Sequence, residues 1–169
     1  TMVIFWFRRD LRIDDNCGLY YALKENSLVL PVFIFDRNML NKHNNPKDPR
    51  IEFIYNQVLA IKEAFERYGS SLKIMHGNTI DQLKWLLDNY AIQGIYFNRE
   101  YEPETIERDR QVIQLFENSE LKVQSYKDHV IFDQDDILKR NGKPYTVYTP
   151  YMRKWKELYR LYPPQKYPI

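Results

Sequence analysis

The sequence predicts an α/β fold: a five-stranded parallel, doubly wound (Rossmann-like) sheet with helices on both faces, plus a C-terminal hairpin and helix. Three observations predict it. Five short apolar runs alternate with helical patterns, an order that gives parallel strands joined by crossover helices. The first two runs, at residues 3–7 and 28–35, are almost continuously hydrophobic, as in strands that are buried on both faces. A chain of 169 residues can bury a core without disulfides or metal.

The five predicted strands are the apolar runs at residues 3–7, 28–35, 72–75, 94–97 and 121–126. Pro31 lies inside the second run, and proline cannot donate a hydrogen bond to a sheet ladder. We therefore expect the second strand either to begin late or to lack a partner on one side at Pro31.

The four crossover helices have sequence signals at their ends. Asp15 or Asn16 can cap the first, which extends to about residue 25, and the apolar spacing predicts the second over residues 50–68, ended by Gly69. Thr79 begins a capping-box pattern for a helix to about residue 90. Pro103 suits the first position of a helix that extends to about residue 118.

The alternation of strand and helix stops after the fifth strand. Asn141-Gly142 is a strong hairpin signal, and Thr149-Pro150 predicts the cap and first residue of a last helix to about residue 162. Three prolines follow that helix, as in a linker. We expect residues 2–135 to form the α/β domain and residues 136–169 to form an extension that begins a linker.

Composition narrows the class of protein. A hydrophobic share of 44% and a net charge of +2 indicate a globular chain rather than a disordered one. No apolar run approaches the ~20 residues that a membrane-spanning helix needs. The run at residues 2–7 is too short for the apolar region of a signal peptide. We therefore expect a cytoplasmic protein with no membrane segment.

Basic residues are concentrated towards the C-terminal end. From Lys139 onward the chain has eight lysines and arginines but a single acidic residue, Glu157. Such a segment can contact nucleic acid, contact an acidic face of a neighbouring domain, or be solvated. We favour the contact between domains, because the family resemblance given below places this segment there.

No catalytic or metal-binding constellation is predicted. The single cysteine, Cys17, cannot form an internal disulfide, and only three histidines accompany it. Its place beside a helix start would favour a thiolate, but we prefer to interpret it as a small, half-buried apolar residue. The histidines are scattered and no serine lies in a nucleophile elbow.

Two charged loops mark the place where a ligand site is expected. Open parallel sheets bind ligands outside the carboxyl ends of their strands, at the point where the strand order reverses. The loops at residues 8–15 and 98–102 follow the first and fourth strands, which meet there. The charges of the first loop could also form a structural network of ion pairs. Neither G-x-G-x-x-G nor a Walker A pattern is present, which argues against an ordinary pyrophosphate cradle.

Four stretches of the sequence, taken in order, resemble one family. They are W-F-R-R-D-L-R-I-D-D-N at residues 6–16, V-L-P-V-F-I-F-D at 29–36, N-R-E-Y-E-P at 98–103 and P-Y-T-V-Y-T-P-Y at 144–151. On these motifs the chain is identified as a member of the DNA photolyase/cryptochrome family. Departures are small: Asp14 stands where many members have His, and Tyr148 and Tyr151 replace Phe.

The resemblance implies that this chain is the N-terminal antenna-binding α/β domain of a deoxyribodipyrimidine photolyase. The full-length parent would be a carbon–carbon lyase that splits UV-induced pyrimidine dimers, using FAD in a C-terminal helical domain that is absent here. The partners implied are that helical domain and, through the parent enzyme, UV-damaged DNA. We expect the fragment alone to be inactive. The alternatives are the N-terminal domain of a cryptochrome-type blue-light photoreceptor, or an α/β binding module unrelated to light.

The antenna implied by the resemblance is methenyltetrahydrofolate or an 8-hydroxy-deazaflavin. In folate-type members the carboxylate of a Tyr-Glu pair binds the pterin amide edge. The resemblance implies that Tyr101 and Glu102 are the corresponding pair in this chain. The same members have a His-Asn element after the second strand, which His43 and Asn44 resemble. Members with flavin-like antennas place the ring near strands one, two and four. The corresponding residues here are Arg9, Asp10, Phe35, Asp36 and Tyr101.

Overall fold

A computed structural model describes residues 2–37, 49–128, 130–133 and 135–168. In these ranges five strands form one sheet in the order β3-β2-β1-β4-β5, and every pairing is parallel. The strands are β1 (Met2–Phe7), β2 (Leu28–Asp36), β3 (Lys73–Gly77), β4 (Ile92–Asn98) and β5 (Lys122–Tyr126). The predicted parallel, doubly wound sheet is confirmed.

The central strand β1 has β2 on one side and β4 on the other. Because the chain builds β2 and β3 outward on one side and then returns to β4, the loops after β1 and β4 diverge at the carboxyl edge and leave a crevice between them. The expected switch point is therefore confirmed. Pro31 pairs with Phe5 of β1, whereas pairing of β2 with β3 begins only at Val32. Of the two expectations for Pro31, the missing partner on one side is the correct one.

Alternating side chains of the strands supply two hydrophobic cores, one on each face of the sheet. Phe5, Phe7 and Phe33 face one core, whereas Ile4, Trp6 and Ile34 face the other. This division follows from the two-residue period of a strand. Complete burial of such a side chain contributes about 1.5–3 kcal/mol.

The described helices are α1 (Cys17–Glu25), α2 (Pro49–Arg67), α3 (Thr79–Asn89), α4 (Pro103–Glu117) and α5 (Tyr148–Leu161). Helices α1 and α2 contribute Leu19, Val58 and Phe65 to the first core. Helices α3 and α4 contribute Leu83 and Phe116, among others, to the second. Helices therefore cover both faces of the sheet, as predicted.

Two predicted helix starts are wrong, by one residue at α3 and by two residues at α5. Asn78, not Thr79, caps α3, because its side-chain oxygen accepts hydrogen bonds from the amides of Ile80 (2.9 Å) and Asp81 (3.2 Å). The last helix begins at Tyr148, before Thr149, and no side chain caps it. Proline at position 150 is tolerated because amides in the first helical turn have no partner within the helix. At α1 the cap is Asn16, one of the two residues expected.

The predicted hairpin after β5 is present as a short antiparallel bridge between Leu138 and Pro144. Gly142 has a φ of 75° in its turn, a conformation that glycine adopts without strain. The helix α5 that follows has no buried residue. It contacts the rest of the chain through Trp155, whose ring lies edge-on to Phe132 at 5.7 Å.

The segment after α5 returns to the body of the domain through Tyr167. The Tyr167 amide donates to the Asp15 carboxylate (3.1 Å), and the Asp15 amide donates to the Tyr167 carbonyl (3.1 Å). The Tyr167 ring lies 5.5 Å from Tyr20 and 5.9 Å from Tyr21. We call residues 163–168 the strap. In the described part of the chain, no helix is both long and apolar enough to span a bilayer.

Cys17 is a free thiol that is only 4% exposed, and the Tyr167 hydroxyl lies beside it. Burial raises the pKa of the Cys17 thiol, which outweighs the opposing contact with Tyr167. The thiol form is therefore favoured over the thiolate, in agreement with the apolar interpretation of this residue.

Replacement of Tyr167 by alanine should release the strap and increase the rate at which a thiol reagent labels Cys17 by several-fold. Tyr162→Ala is the matched control, since the Tyr162 side chain is 68% exposed. Labelling is followed by absorbance with 5,5′-dithiobis(2-nitrobenzoate) under native conditions. Equal labelling rates in the two variants would show that the strap does not protect this thiol.

Candidate functional site

A buried amide at the end of β4 joins the parts that surround the crevice. The Asn98 side chain donates to Asp10 (2.6 Å) in the loop after β1 and to Asn16 (2.8 Å), the cap of α1. Its oxygen accepts from the Gly18 amide (2.9 Å). Asn98, Asp10 and Asn16 are almost completely buried. We call these three residues the polar node.

The polar node determines two features of the nearby sequence. A Cβ atom on Gly18 would lie 2.7 Å from the Asn98 oxygen and 3.0 Å from the Phe5 ring, so only glycine permits the close approach of α1 to β4. Asp10 also accepts from the Arg8 amide (2.8 Å), which fixes the start of the loop after β1. Burial raises the pKa of Asp10, although the hydrogen bonds from Arg8 and Asn98 oppose this shift.

Beside the polar node lies a layer of buried charges. The Arg8 guanidinium binds the Asp109 carboxylate of α4 and the Asn98 carbonyl, and lies 3.7 Å from Glu100. Arg108 binds the same Glu100 at 2.8 Å. Burial raises the pKa of Asp109, and Arg8 and Arg108 oppose this shift. The ion pairs expected within this loop are not formed among the described residues, because Arg8, Arg9 and Arg12 bind carboxylates outside the loop: Asp109, Glu102 and Asp128.

Aromatic rings support the buried guanidinium groups. The Arg8 guanidinium carbon lies 4.7 Å from the Trp6 ring centroid and 4.9 Å from that of Phe97. Arg108 lies 4.9 Å from Trp6. Such contacts stabilise a desolvated guanidinium by about 2 kcal/mol. The charged layer therefore rests on the second hydrophobic core.

Above the charged layer, an exposed ion pair spans the crevice. Arg9 after β1 binds Glu102 after β4, with side chains that are 65% and 50% exposed. The backbone amide of Glu102 itself and the nearby Arg9 lower the pKa of the Glu102 carboxyl, against the opposing effect of burial. One oxygen of Glu100 is buried without a hydrogen-bond partner among the described residues, and it lies 3.9 Å from the Arg9 Nε atom.

Tyr101 has a structural partner. Its hydroxyl donates to Asp133, which also binds Arg99 at 2.8 Å. Burial, together with the Asp133 carboxylate, raises the pKa of Tyr101. The loop after β4 therefore anchors residues 130–133, and the Tyr101 hydroxyl is already engaged.

The second-strand candidates lie on the other side of β1. The Phe35 ring is 3% exposed and stacks on His76 of β3, with ring centroids 5.0 Å apart. The centroid of the Tyr55 ring lies 6.2 Å from that of Phe35. Asp36 accepts hydrogen bonds from the amide (3.1 Å) and hydroxyl (2.5 Å) of Thr79, at the start of α3. A ligand at this edge would meet the exposed His76 and Tyr55 before it met Phe35.

Of the residues predicted from the sequence, the structure brings Arg9, Asp10 and Glu102 together at the crevice. Phe35 and Asp36 form a separate group, and His43, with Asn44, lies outside the described residues. Asn98 and Glu100 lie in the predicted loop at residues 98–102, but neither is among the ligand-binding residues predicted from the sequence. A polar residue that ends a continuous apolar strand, as Asn98 does, is the signal that would have found the polar node. Within the described ranges no three His, Cys, Asp or Glu side chains form a metal-binding group.

Asn98→Ala should reduce the free energy of unfolding by about 3 kcal/mol, because it leaves the buried Asp10 carboxylate and Gly18 amide without their partner. The control is Asn89→Ala, which removes an exposed amide that donates to the Trp85 carbonyl (2.8 Å) and should change stability by less than about 0.5 kcal/mol. Urea unfolding followed by circular dichroism measures both. Similar losses in the two variants would show that the polar node does not dominate stability.

Arg8→Met should destabilise the fold more strongly at pH 7.5 than at pH 4.5. Arg8 lowers the pKa of Asp109 against the effect of burial, so its removal raises the folded-state pKa further above the unfolded value. Ionisation then opposes folding increasingly as the pH rises through this interval. We expect a loss of about 3–5 kcal/mol at pH 7.5 and a smaller loss at pH 4.5.

The control for Arg8 is Arg110→Met, which removes an exposed ion pair with Glu107 on the same helix as Asp109. It should change the unfolding free energy by less than about 1 kcal/mol at both pH values. Urea denaturation at the two pH values measures the free energy of unfolding of both variants. A loss at Arg8 that does not vary with pH would contradict the assignment of a carboxylate partner.

Comparison with known proteins identifies the family to which this architecture belongs. The sequence profile described as DNA photolyase matches residues 3–168. The deoxyribodipyrimidine photo-lyase of Synechococcus sp. (strain ATCC 27144) is 26% identical over 154 residues, which cover 91% of this chain and 32% of that protein. Cryptochrome-2 of Arabidopsis thaliana is 32% identical over 155 residues, covering 89% of this chain and 24% of that protein.

An uncharacterized 31.6 kDa protein of Synechococcus sp. (strain PCC 6716) is 30% identical over 155 residues, covering 92% of this chain and 54% of that protein. The chain thus spans between a quarter and about half of the length of these three relatives.

Among solved structures, the archaeal photolyase of Sulfolobus tokodaii superposes on the whole chain and on 37% of its own chain, with a TM-score of 0.80 and 26% identity. That protein is described as containing two FAD molecules, with the implication of a novel light-harvesting cofactor. The profile match covers nearly all of the sequence, and the fold is the one seen in the archaeal enzyme. The chain therefore belongs to the DNA photolyase family and corresponds to its N-terminal domain.

Proposed function

We propose that this chain is the antenna-chromophore-binding domain of a light-driven DNA repair enzyme, a deoxyribodipyrimidine photolyase. The observation that carries the proposal is the crevice at the switch point of a photolyase-type sheet, with an exposed, exchangeable ion pair above a rigid, charged floor. The family membership supplies the reaction class, since relatives over this region are deoxyribodipyrimidine photo-lyases.

The residues at the crevice suit a heteroaromatic ligand with N–H groups along one edge. The Glu102 carboxylate is exposed and has a lowered pKa, so it is ionised at neutral pH and can accept two hydrogen bonds from an amino-pyrimidinone or imide edge. The buried Glu100 carboxylate, 3.9 Å from Arg9, adds negative charge close by. Methenyltetrahydrofolate, an 8-hydroxy-deazaflavin and FAD all carry such an edge.

Arg9 has a defined part in ligand binding under this proposal. A ligand that donates to Glu102 replaces the Arg9 guanidinium, because both compete for the same carboxylate. The released guanidinium can then bind the anionic tail of the ligand, a carboxylate or a phosphate. The exchange costs little, since an ion pair between two half-exposed side chains contributes at most about 1 kcal/mol. Arg8 stays in place because it is buried and held by Asp109.

The bound chromophore would supply absorption of light and transfer of its excitation. We propose that the acceptor is FAD held in a helical domain of a longer parent chain, which would split pyrimidine dimers in UV-damaged DNA. This fragment alone would then have no repair activity, because the proposed cleavage uses the FAD of that helical domain. Cryptochrome-2, at 32% identity, supports photoreception in a cryptochrome-type parent as the second candidate function.

Titration of the purified chain with methenyltetrahydrofolate, 8-hydroxy-deazaflavin and FAD, followed by fluorescence, tests the proposal. Glu102→Gln should weaken binding of the preferred chromophore by about ten-fold or more, because a charge-assisted hydrogen bond contributes about 1.5–3 kcal/mol. Glu107→Gln is the matched control, since Glu107 lies on α4, the helix that Glu102 precedes, and among the described residues it binds its neighbours Arg110 and Gln111.

Three outcomes are informative. Saturable binding that Glu102→Gln weakens and Glu107→Gln leaves unchanged supports the crevice as the antenna site. Binding that neither substitution changes would move the site to the group around Phe35 and His76. If none of the three chromophores binds, either to this chain or to a parent chain that includes it, the antenna proposal is wrong.

A further inference from the structure

Helix α5 has two faces of different character. Arg153, Lys156 and Arg160 recur at intervals of three and four residues, so they lie along one side of the helix. Trp155 lies elsewhere on the helix, where it contacts Phe132 and stacks on Tyr159 at 5.1 Å. The aromatic side therefore attaches the helix to the domain, and the basic side faces away from that attachment.

The basic side of α5 continues onto the hairpin. A shallow depression is lined by Arg153, Lys156, Glu157, Arg160 and Leu161. A second is lined by Leu138, Arg140, Tyr145, Pro150, Arg153, Lys154 and Glu157. Because the two share Arg153 and Glu157, they form one continuous surface. We call its five cationic residues, Arg140, Arg153, Lys154, Lys156 and Arg160, the basic surface.

Four of the five cations of the basic surface have no acidic partner among the described residues. Within the described part of the chain, its one ion pair joins Lys154 to Glu157 at 3.1 Å. The arginines around the crevice differ, since Arg8, Arg9, Arg12, Arg99 and Arg108 each bind a carboxylate. The basic surface therefore has a strong positive potential that an external anion can satisfy.

The composition of this surface favours nucleic acid over a protein partner. The central part of a protein–protein interface is depleted in charged residues, whereas a row of cations along one face of a helix is typical of nucleic-acid-binding surfaces. The exposed rings of Tyr148 and Tyr159 lie seven residues before and four residues after Trp155, on the Trp155 side of α5. The basic surface therefore presents charge for phosphate groups rather than rings for stacking on bases.

We propose that the basic surface binds the phosphate backbone of nucleic acid. Two anchors hold α5 in a fixed position for this contact: Trp155 on Phe132 at one side, and the Tyr167 strap beyond its C-terminal end. The proposal does not depend on a chromophore, so it can fail while the antenna proposal stands, and the reverse also holds.

Fluorescence anisotropy with a labelled oligothymidylate 20-mer and an undamaged 20-bp duplex, at 20 to 200 mM KCl, tests this proposal. The test variant is Arg153→Gln/Lys156→Gln/Arg160→Gln. The matched control, Lys24→Gln/Arg67→Gln/Lys84→Gln, removes the same net charge from exposed positions on α1, α2 and α3. Circular dichroism confirms that each variant is folded.

The unaltered chain should bind both probes with an affinity that decreases steeply with salt. The test variant should bind at least about ten-fold more weakly at 50 mM KCl. Its slope of log K against log salt should be shallower by about 2–3 units on the duplex, since each neutralised phosphate contributes about −0.9. The control should bind within about two-fold of the unaltered chain.

Three results would overturn the proposal. One is the absence of binding to either probe at 20 mM KCl. Another is an equal loss in the test and control variants, which would indicate attraction by net charge alone. The third is equally tight binding of poly-L-glutamate with the same dependence on Arg153, Lys156 and Arg160, which would identify an acidic protein surface as the partner.

Discussion

The fold around the crevice depends on one buried amide, that of Asn98. Its three hydrogen bonds connect the end of β4 to the loop after β1 and to the first turn of α1, which lie 80 to 88 residues earlier in the sequence. A buried polar group that loses its partner is costly, so each segment is held in position by the needs of the other two. The glycine at position 18 and the aspartate at position 10 follow from this single constraint.

The charged side chains at the crevice differ in how firmly their neighbours hold them, and this depends on how deeply they are buried. Arg8 and Glu100 have side chains only 4% and 3% exposed, and their neighbours fix them in one arrangement. Buried pairs of this kind add little net stability but are expensive to break, which makes them suited to fix geometry. Arg9 and Glu102 lie above them in solvent, where an ion pair can exchange partners freely. The site thus combines a rigid base with an adaptable rim.

The sequence predicted the sheet and the switch point because continuous apolar runs and charged loops are local patterns. It missed contacts that join distant positions: Arg8 binds Asp109, 101 residues away, and Tyr101 binds Asp133. At α3 it chose Thr79 over Asn78, since both residue types can cap a helix and the choice depends on Asp36, which binds the Thr79 hydroxyl. The pattern at residues 163–168 predicted a departing linker, but pairing of Tyr167 with Asp15 returns the chain to the domain.

The return of the strap determines where anything joined beyond residue 168 would begin. Asp15 ends the loop after β1, so the attachment point lies at the edge of the sheet that carries the crevice. A tethered group that starts close to its site experiences an effective concentration that can reach millimolar values. A dye, peptide or domain fused there would therefore sample the crevice by intramolecular encounter, and even a weak intrinsic affinity would give substantial occupancy.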